Sequence, residues 1–198
     1  MKSLSFLAVI VLAWLAYSHL HAPITHPPGV LVAEDPAQTA VLPDDKPFTS
    51  GQFQLQPLAH FELHARVLAR KTYRYDRQSA LVPVDLAVGW GPMSDHAVLD
   101  RLTISQSMRF FWYEWTGTPP IPPDQIVSHA TNLHLIPASP AIESCSKALR
   151  PGELIHLRGL LLEATGPEIA TWRSSLSRTD TGNGACELVW VEELSSSR

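Results

Sequence analysis

Three stretches of the chain carry residue types at spacings that could do chemistry. The first is Ser128-His129, with Asn132 and His134 close behind. Histidine beside Asn and Ser can move protons or orient a ligand. The same side chains can equally satisfy backbone groups next to a proline loop. The second is Arg173, Ser175, Arg178 and Asp180, just after Trp172. Two arginines could hold an anion, or Arg178 could pair with Asp180. Asp180-Thr181-Gly182 spells the aspartic-protease tripeptide. Ser177-Arg178-Thr179 stands where an apolar strand should precede it, and there is no second copy, so a turn is the better reading. The third is Trp90, between Gly89 and Gly91-Pro92. The glycines allow a tight turn that holds the indole in a cleft or against the core. No GxSxG motif occurs, so no serine sits on a nucleophile elbow.

Nine histidines are present, and His60 and His64 would share one face of a strand. That permits metal contact, but no third ligand is near in sequence. HExxH and CxxC spacings are absent, so neither a metal nor a cofactor is expected. Cys145 and Cys186 are the two cysteines. In an exported protein the default is a disulfide, here joining a helix at 140–149 to the last strand. A loop of that size could contribute ~3–4 kcal/mol on the chain-entropy estimate. Two separate buried thiols are the alternative.

These residues need elements to position them. Phe61, Leu63, Ala65 and Val67 alternate with Glu62, His64 and Arg66, which predicts a strand. Basic residues interleave with Tyr73 and Tyr75 from Arg66 to Arg77, a pattern that reads better as a solvated strand face than as a nucleic-acid stripe. Further strands are expected at 84–88, at the aromatic run 109–115, at 154–162 with a glycine bend at Gly159, at 170–177 and at 188–194. Ser94 or Asp95 can cap one helix, and Ser139-Pro140 can open another. Four prolines at 119–123 make a rigid loop. The expected fold is α+β: a bent antiparallel sheet or small β-barrel with two or three short helices, after an N-terminal membrane anchor.

The anchor is read from Leu4 to Leu20, an apolar stretch after Lys2 with no acidic residue before Glu34. It suits an uncleaved membrane helix at the short end of the range, with Trp14 and Tyr17 as an aromatic belt. A cleaved signal peptide is the competing reading. Either would export the rest, so the expected location is the inner membrane, single-pass, with the C-terminal domain in the periplasm. The chain then divides into an anchor at 1–21, a proline-rich spacer at 22–50 and one globular domain at 51–198. The spacer holds Pro23, Pro27, Pro28, Pro36, Pro43 and Pro47, and reads as extended chain. A net charge of −4 argues against a general nucleic-acid partner.

Several segments together resemble a family of uncharacterised bacterial envelope proteins with an N-terminal membrane anchor. They are Gly89-Trp90-Gly91-Pro92-Met93-Ser94-Asp95, Ser105-Gln106-Ser107, Asn132-Leu133-His134-Leu135-Ile136-Pro137-Ala138, Trp172-Arg173-Ser174-Ser175, and Asp180 through Glu187. The resemblance carries no activity and no catalytic residue. The function expected is a membrane-anchored, periplasm-facing binding or assembly module, non-catalytic, held by its helix in the membrane with an envelope protein as partner. An envelope hydrolase using polar residues of 129–134 and 173–180 is the alternative.

Overall fold

A computed structural model describes residues 22–198 together with Val11, Leu12, Trp14 and Ser18. Its elements are β1 (Ala37–Ala40), β2 (Phe48–Ser50), β3 (Phe53–Thr72), β4 (Val84–Gly89), α1 (His96–Leu99), β5 (Thr103–Ser107) and β6 (Phe110–Glu114). There follow α2 (Pro123–Ser128), β7 (Ala130–Pro137), α3 (Pro140–Ala148), β8 (Leu154–Gly166), β9 (Ile169–Arg173) and β10 (Glu187–Ser197). The protein is α+β, built on one large bent sheet.

Hydrogen bonding runs around a ring of five strands. β3 pairs with β4, β4 with β7, β7 with β10, β10 with β8, and β8 returns to β3. All these pairs are antiparallel except β7 with β10, so the sheet is mixed rather than wholly antiparallel. The parallel pair is reached by a long crossover through α3, β8 and β9, as parallel strands require. The 20-residue β3 serves two neighbours because it bends, with a register shift between Pro57 and Ala59 on the β8 side and another between Val67 and Ala69 on the β4 side.

Alternation sorts each ring strand into two faces. Phe61, Leu63 and Ala65 of β3 meet Leu86 and Val88 of β4 in one core cluster. Leu133 and Leu135 of β7, Leu157 and Leu161 of β8, and Val189 and Val191 of β10 complete it. Gly159 is needed where β8 crosses β10, since a Cβ there would stand 1.8 Å from the Trp190 carbonyl oxygen. α3 opens as the sequence predicts, with the Ser139 hydroxyl accepting from the Ile142 amide and Pro140 in its first turn.

β4 is buried along its whole length, because the β5–β6 hairpin covers its outer face. Phe111 and Tyr113 of β6, with Trp115 just beyond it, pack there around Ala87, Met93 and Ile126. Residues 22–50, read as a spacer, lie along the ring. Val32 enters the core, the Ser94 hydroxyl accepts from the Leu31 and Val32 amides, and β1 and β2 pair with β3.

Two expectations are corrected. Among the described residues no helix is long and apolar enough to cross a membrane. The single-pass inner-membrane location is therefore withdrawn; the segment read as its anchor, 1–21, falls largely outside the described residues. Nor are Cys145 and Cys186 bridged; both are free. The Cys145 sulfur lies 3.9 Å from the Leu194 carbonyl oxygen. Leu194 is eight residues down the chain from Cys186, roughly 25 Å along an extended strand, far beyond the reach of a disulfide.

Candidate functional site

The outward face of β4 and β7 carries a polar cluster that the ring core does not need. Asp85 and His134 are directly opposed in register, and both are buried. His134 Nδ1 lies 2.9 Å from Asp85 Oδ1. The third member, Arg109, comes from the tip of the β5–β6 hairpin. Its Nη1 donates to the same Asp85 oxygen at 3.0 Å and to the Val82 carbonyl at 2.9 Å. Its Nη2 donates to both oxygens of Asp76 at 2.8 Å. The guanidinium lies 3.6 Å over the Tyr73 ring, and the Arg109 amide donates to the Tyr73 hydroxyl. Burial first, then the Asp85 charge, pushes the Tyr73 hydroxyl up.

Local backbone explains how Arg109 gets there. Met108 and Arg109 have φ of 50° and 69° and form the two-residue turn of the hairpin. Asn and Gly usually occupy such positions, because side chains there cost conformational energy. The contacts of Arg109 with Asp76, Asp85, Val82 and Tyr73 offset that cost. Asn132 ties the same hairpin down: its Oδ1 accepts from Gln106 at 2.6 Å and its Nδ2 donates to the Arg109 carbonyl at 3.2 Å.

Above this cluster opens a cleft of about 450 Å³. His134 and Arg109 form its floor, with Phe110 and Met108 along the hairpin side. Trp172 and Arg173 of β9 stand opposite, with Asn183 and Cys186 farther along, and Gln78 enters from the β3–β4 connection. The Trp172 ring lies 4.7 Å from that of His134. Arg173 donates to Glu163 at 2.7 Å. Both arginines of the cleft are thus already paired with carboxylates. Burial, reinforced by the charges of Glu187 and Asp85, pushes the Cys186 thiol up to about 12. Cys186 is therefore protonated at neutral pH and is no ready nucleophile, although it lines the same cleft as His134.

The remaining sequence-predicted residues lie elsewhere. Arg178 pairs with Glu187, which points into the ring with Thr131 as its second partner. Burial dominates Glu187 and pushes its carboxyl up to about 7, against the pull of Arg178 and the Thr131 hydroxyl. Ser175 donates to Asp180 at 2.7 Å and accepts from the Ser177 amide, a local turn. Trp90 is fully buried and donates from Nε1 to Asp35 at 2.9 Å. His129 Nδ1 lies 2.9 Å from the Ser128 hydroxyl and 2.9 Å from the Gln125 carbonyl, both at the end of α2. Residues 129–134 and 173–180 therefore split between two places: His134 and Arg173 face the cleft, whereas Arg178 and Asp180 face the small hollow beside Thr131 and Glu187.

One side-chain group among the described residues could hold a metal ion: Glu62, His64 and His156, away from the cleft. The sequence pairing of His60 with His64 does not form: four residues of extended strand hold them roughly 13 Å apart, and His60 bonds Asp45 at 2.7 Å instead. Sequence reasoning missed Arg109 and Trp172 as cleft residues and Asp85 as the buried acid beneath them. The signals available were a lone acid in an apolar strand and an arginine at a hairpin tip. No family model, curated protein or solved structure matches the chain.

Proposed function

We propose that the protein is a non-catalytic binding module whose cleft takes a short, neutral oligosaccharide. Underlying it is a reading of the closed ring as a five-stranded Greek-key barrel of the OB type. Taking β3, β4, β7, β8 and β10 as strands one to five, the ring order is 1-2-3-5-4-1, with the third and fifth strands parallel and α3 between the third and fourth. Barrels of that type bind oligonucleotides and oligosaccharides on the face of strands two and three, between the loops joining strands one to two and four to five. The cleft stands in that place. His134 comes from the third strand, Gln78 from the first of those loops, and Trp172, Arg173 and Asn183 from the second. This is a fold-level analogy, and the side chains choose between its ligands.

The observation that carries the choice is the pairing of Arg109 and Arg173 with Asp76, Asp85 and Glu163. A phosphodiester chain needs cations free to replace its counterions. The cleft offers instead the faces of Trp172 and Phe110 with the amides of Gln78 and Asn183, which suit apolar sugar faces and hydroxyls. The Asp85–His134–Arg109 cluster positions the floor of this cleft.

A glycan array followed by tryptophan-fluorescence titration with the best neutral hexasaccharide tests the reading. Saturable binding is expected, lost in Trp172→Ala and weaker for a hexamer of thymidylate. Equal or tighter binding of the thymidylate, no array signal, or glycan binding indifferent to Trp172→Ala overturns it.

A further inference from the structure

We propose that Glu62, His64 and His156 form a binding site for a zinc-class divalent transition-metal ion on the outer face of β3 and β8. The site is separate from the cleft and independent of the reading given for it.

The strand register makes the site. His64 and His156 are directly opposed across the antiparallel β3–β8 pair. Glu62 stands two residues from His64, hence on the same face of β3. The two imidazoles stack with centroids 4.2 Å apart and planes 4° from parallel. His156 Nε2 already lies 2.7 Å from Glu62 Oε1. One ligand atom from each of the three residues falls within 4.8 Å of the others. Ligands at ~2.0–2.1 Å around a tetrahedral ion stand ~3.4 Å apart, so modest side-chain rotations close the set. The three side chains are exposed or half-buried, and the rotations would loosen the long surface contact of Glu62 with Arg158 at 4.0 Å.

The donors select the ion. Two imidazoles with one carboxylate match the three-ligand sets that zinc uses when it keeps a fourth position open. Imidazole favours zinc, copper and nickel, whereas magnesium and calcium prefer oxygen alone. A hollow of about 290 Å³ borders both histidines, lined also by Glu34 and by Ser195 to Ser197 at the end of β10. It leaves space for water, or for Glu34, as the fourth ligand. Because the ligands come from two paired strands, the bound ion clips β3 to β8 and adds its binding energy to the folded state.

The test uses the full, untagged chain, stripped with chelator and dialysed. Isothermal titration with zinc chloride is expected to show one equivalent bound with a Kd in the micromolar range or below. Magnesium should give no heat above dilution. His64→Ala and His156→Ala should each weaken zinc binding by about tenfold or more, and His60→Ala should leave it unchanged. Cobalt should give the visible bands of a four-coordinate ion in the wild type and lose them in His156→Ala. Zinc should also protect His64 and His156 from diethylpyrocarbonate in the unmutated protein, a readout that needs no variant to fold. Absent binding, binding that survives both histidine substitutions, or protection of other histidines alone overturns the site.

Discussion

β7 builds two polar clusters from alternate residues, and they differ in how their carboxylates are kept. Facing out, His134 meets Asp85, whose charge is met by Arg109 as well. Facing in, Thr131 meets Glu187, which has one arginine, Arg178, reaching it from a loop. Both carboxylates are buried. Asp85 is wired to two nitrogen-bearing side chains from two elements. The environment of Glu187 pushes its carboxyl up to about 7. The difference lies in the anchoring: Asp85 takes its partners from β7 and from the hairpin tip, whereas Glu187 takes its arginine from a loop.

Removing Asp85 should break the comparison most severely. Asp85→Ala leaves the Arg109 guanidinium with one carboxylate and His134 without its partner. The expected loss is about 3–5 kcal/mol in denaturant unfolding, with loss of glycan binding. A loss below about 1 kcal/mol would show that the outward cluster is not held through Asp85.

The inward cluster should reveal itself by pH. A carboxyl raised from 4.5 to about 7 keeps its proton in the folded chain after the unfolded chain has released it. Stability should therefore fall as pH rises from about 4.5 to 7 and level off above, by on the order of 3 kcal/mol from this group. Glu187→Gln should remove that component of the slope. Unfolding curves at pH 5 and pH 8 for both proteins check it, and an unchanged slope in Glu187→Gln sinks the assignment.

A substitution outside both clusters sharpens the contrast. Gly152 has φ of 93°, and a Cβ there would stand 2.0 Å from the Ile24 carbonyl oxygen. Gly152→Ala should cost about 2 kcal/mol, through backbone strain and a displaced N-terminal segment. Limited proteolysis near residues 24–32 should quicken. Neither the pH slope nor glycan binding should change.

What could be read from the chain follows the same division. Period-two alternation in Phe61, Leu63 and Ala65 revealed β3, and Ser139-Pro140 marked α3, because both signals are local. The α+β class and the bent sheet were legible for that reason. The cleft was not. Its floor, Arg109 and His134 held from below by Asp85, depends on a hairpin whose turn lacks the usual Asn-Gly signal, since Met108 and Arg109 adopt positive φ under tertiary contacts. His156 is 92 positions from His64, and only the β3–β8 register brings them together. The expected disulfide failed on the same ground: spacing in sequence said nothing of which ends of β10 the two sulfurs would reach.

Those two cysteines give the smallest expected effect and report on two ends of the molecule separately. Cys186 sits in the cleft, its thiol pushed up to about 12, chiefly by burial. Cys145 sits on α3, half-buried, its thiol raised by burial and by Glu153. Unbridged, they should make a reducing agent irrelevant to stability. The melting temperature with and without dithiothreitol should agree within about 1 °C, whereas losing a bridge worth ~3–4 kcal/mol would lower it by roughly 10 °C. Both thiols should react with a chromogenic disulfide reagent in denaturant without prior reduction. In the folded protein Cys145 should react first, because the thiolate is the reactive form and Cys186 holds its proton more tightly. Equal rates would mean that the cleft opens to reagent as readily as the surface of α3. A protein that yields no free thiol until reduced would restore the bridge and require α3 and the start of β10 to meet, against the roughly 25 Å of strand between them.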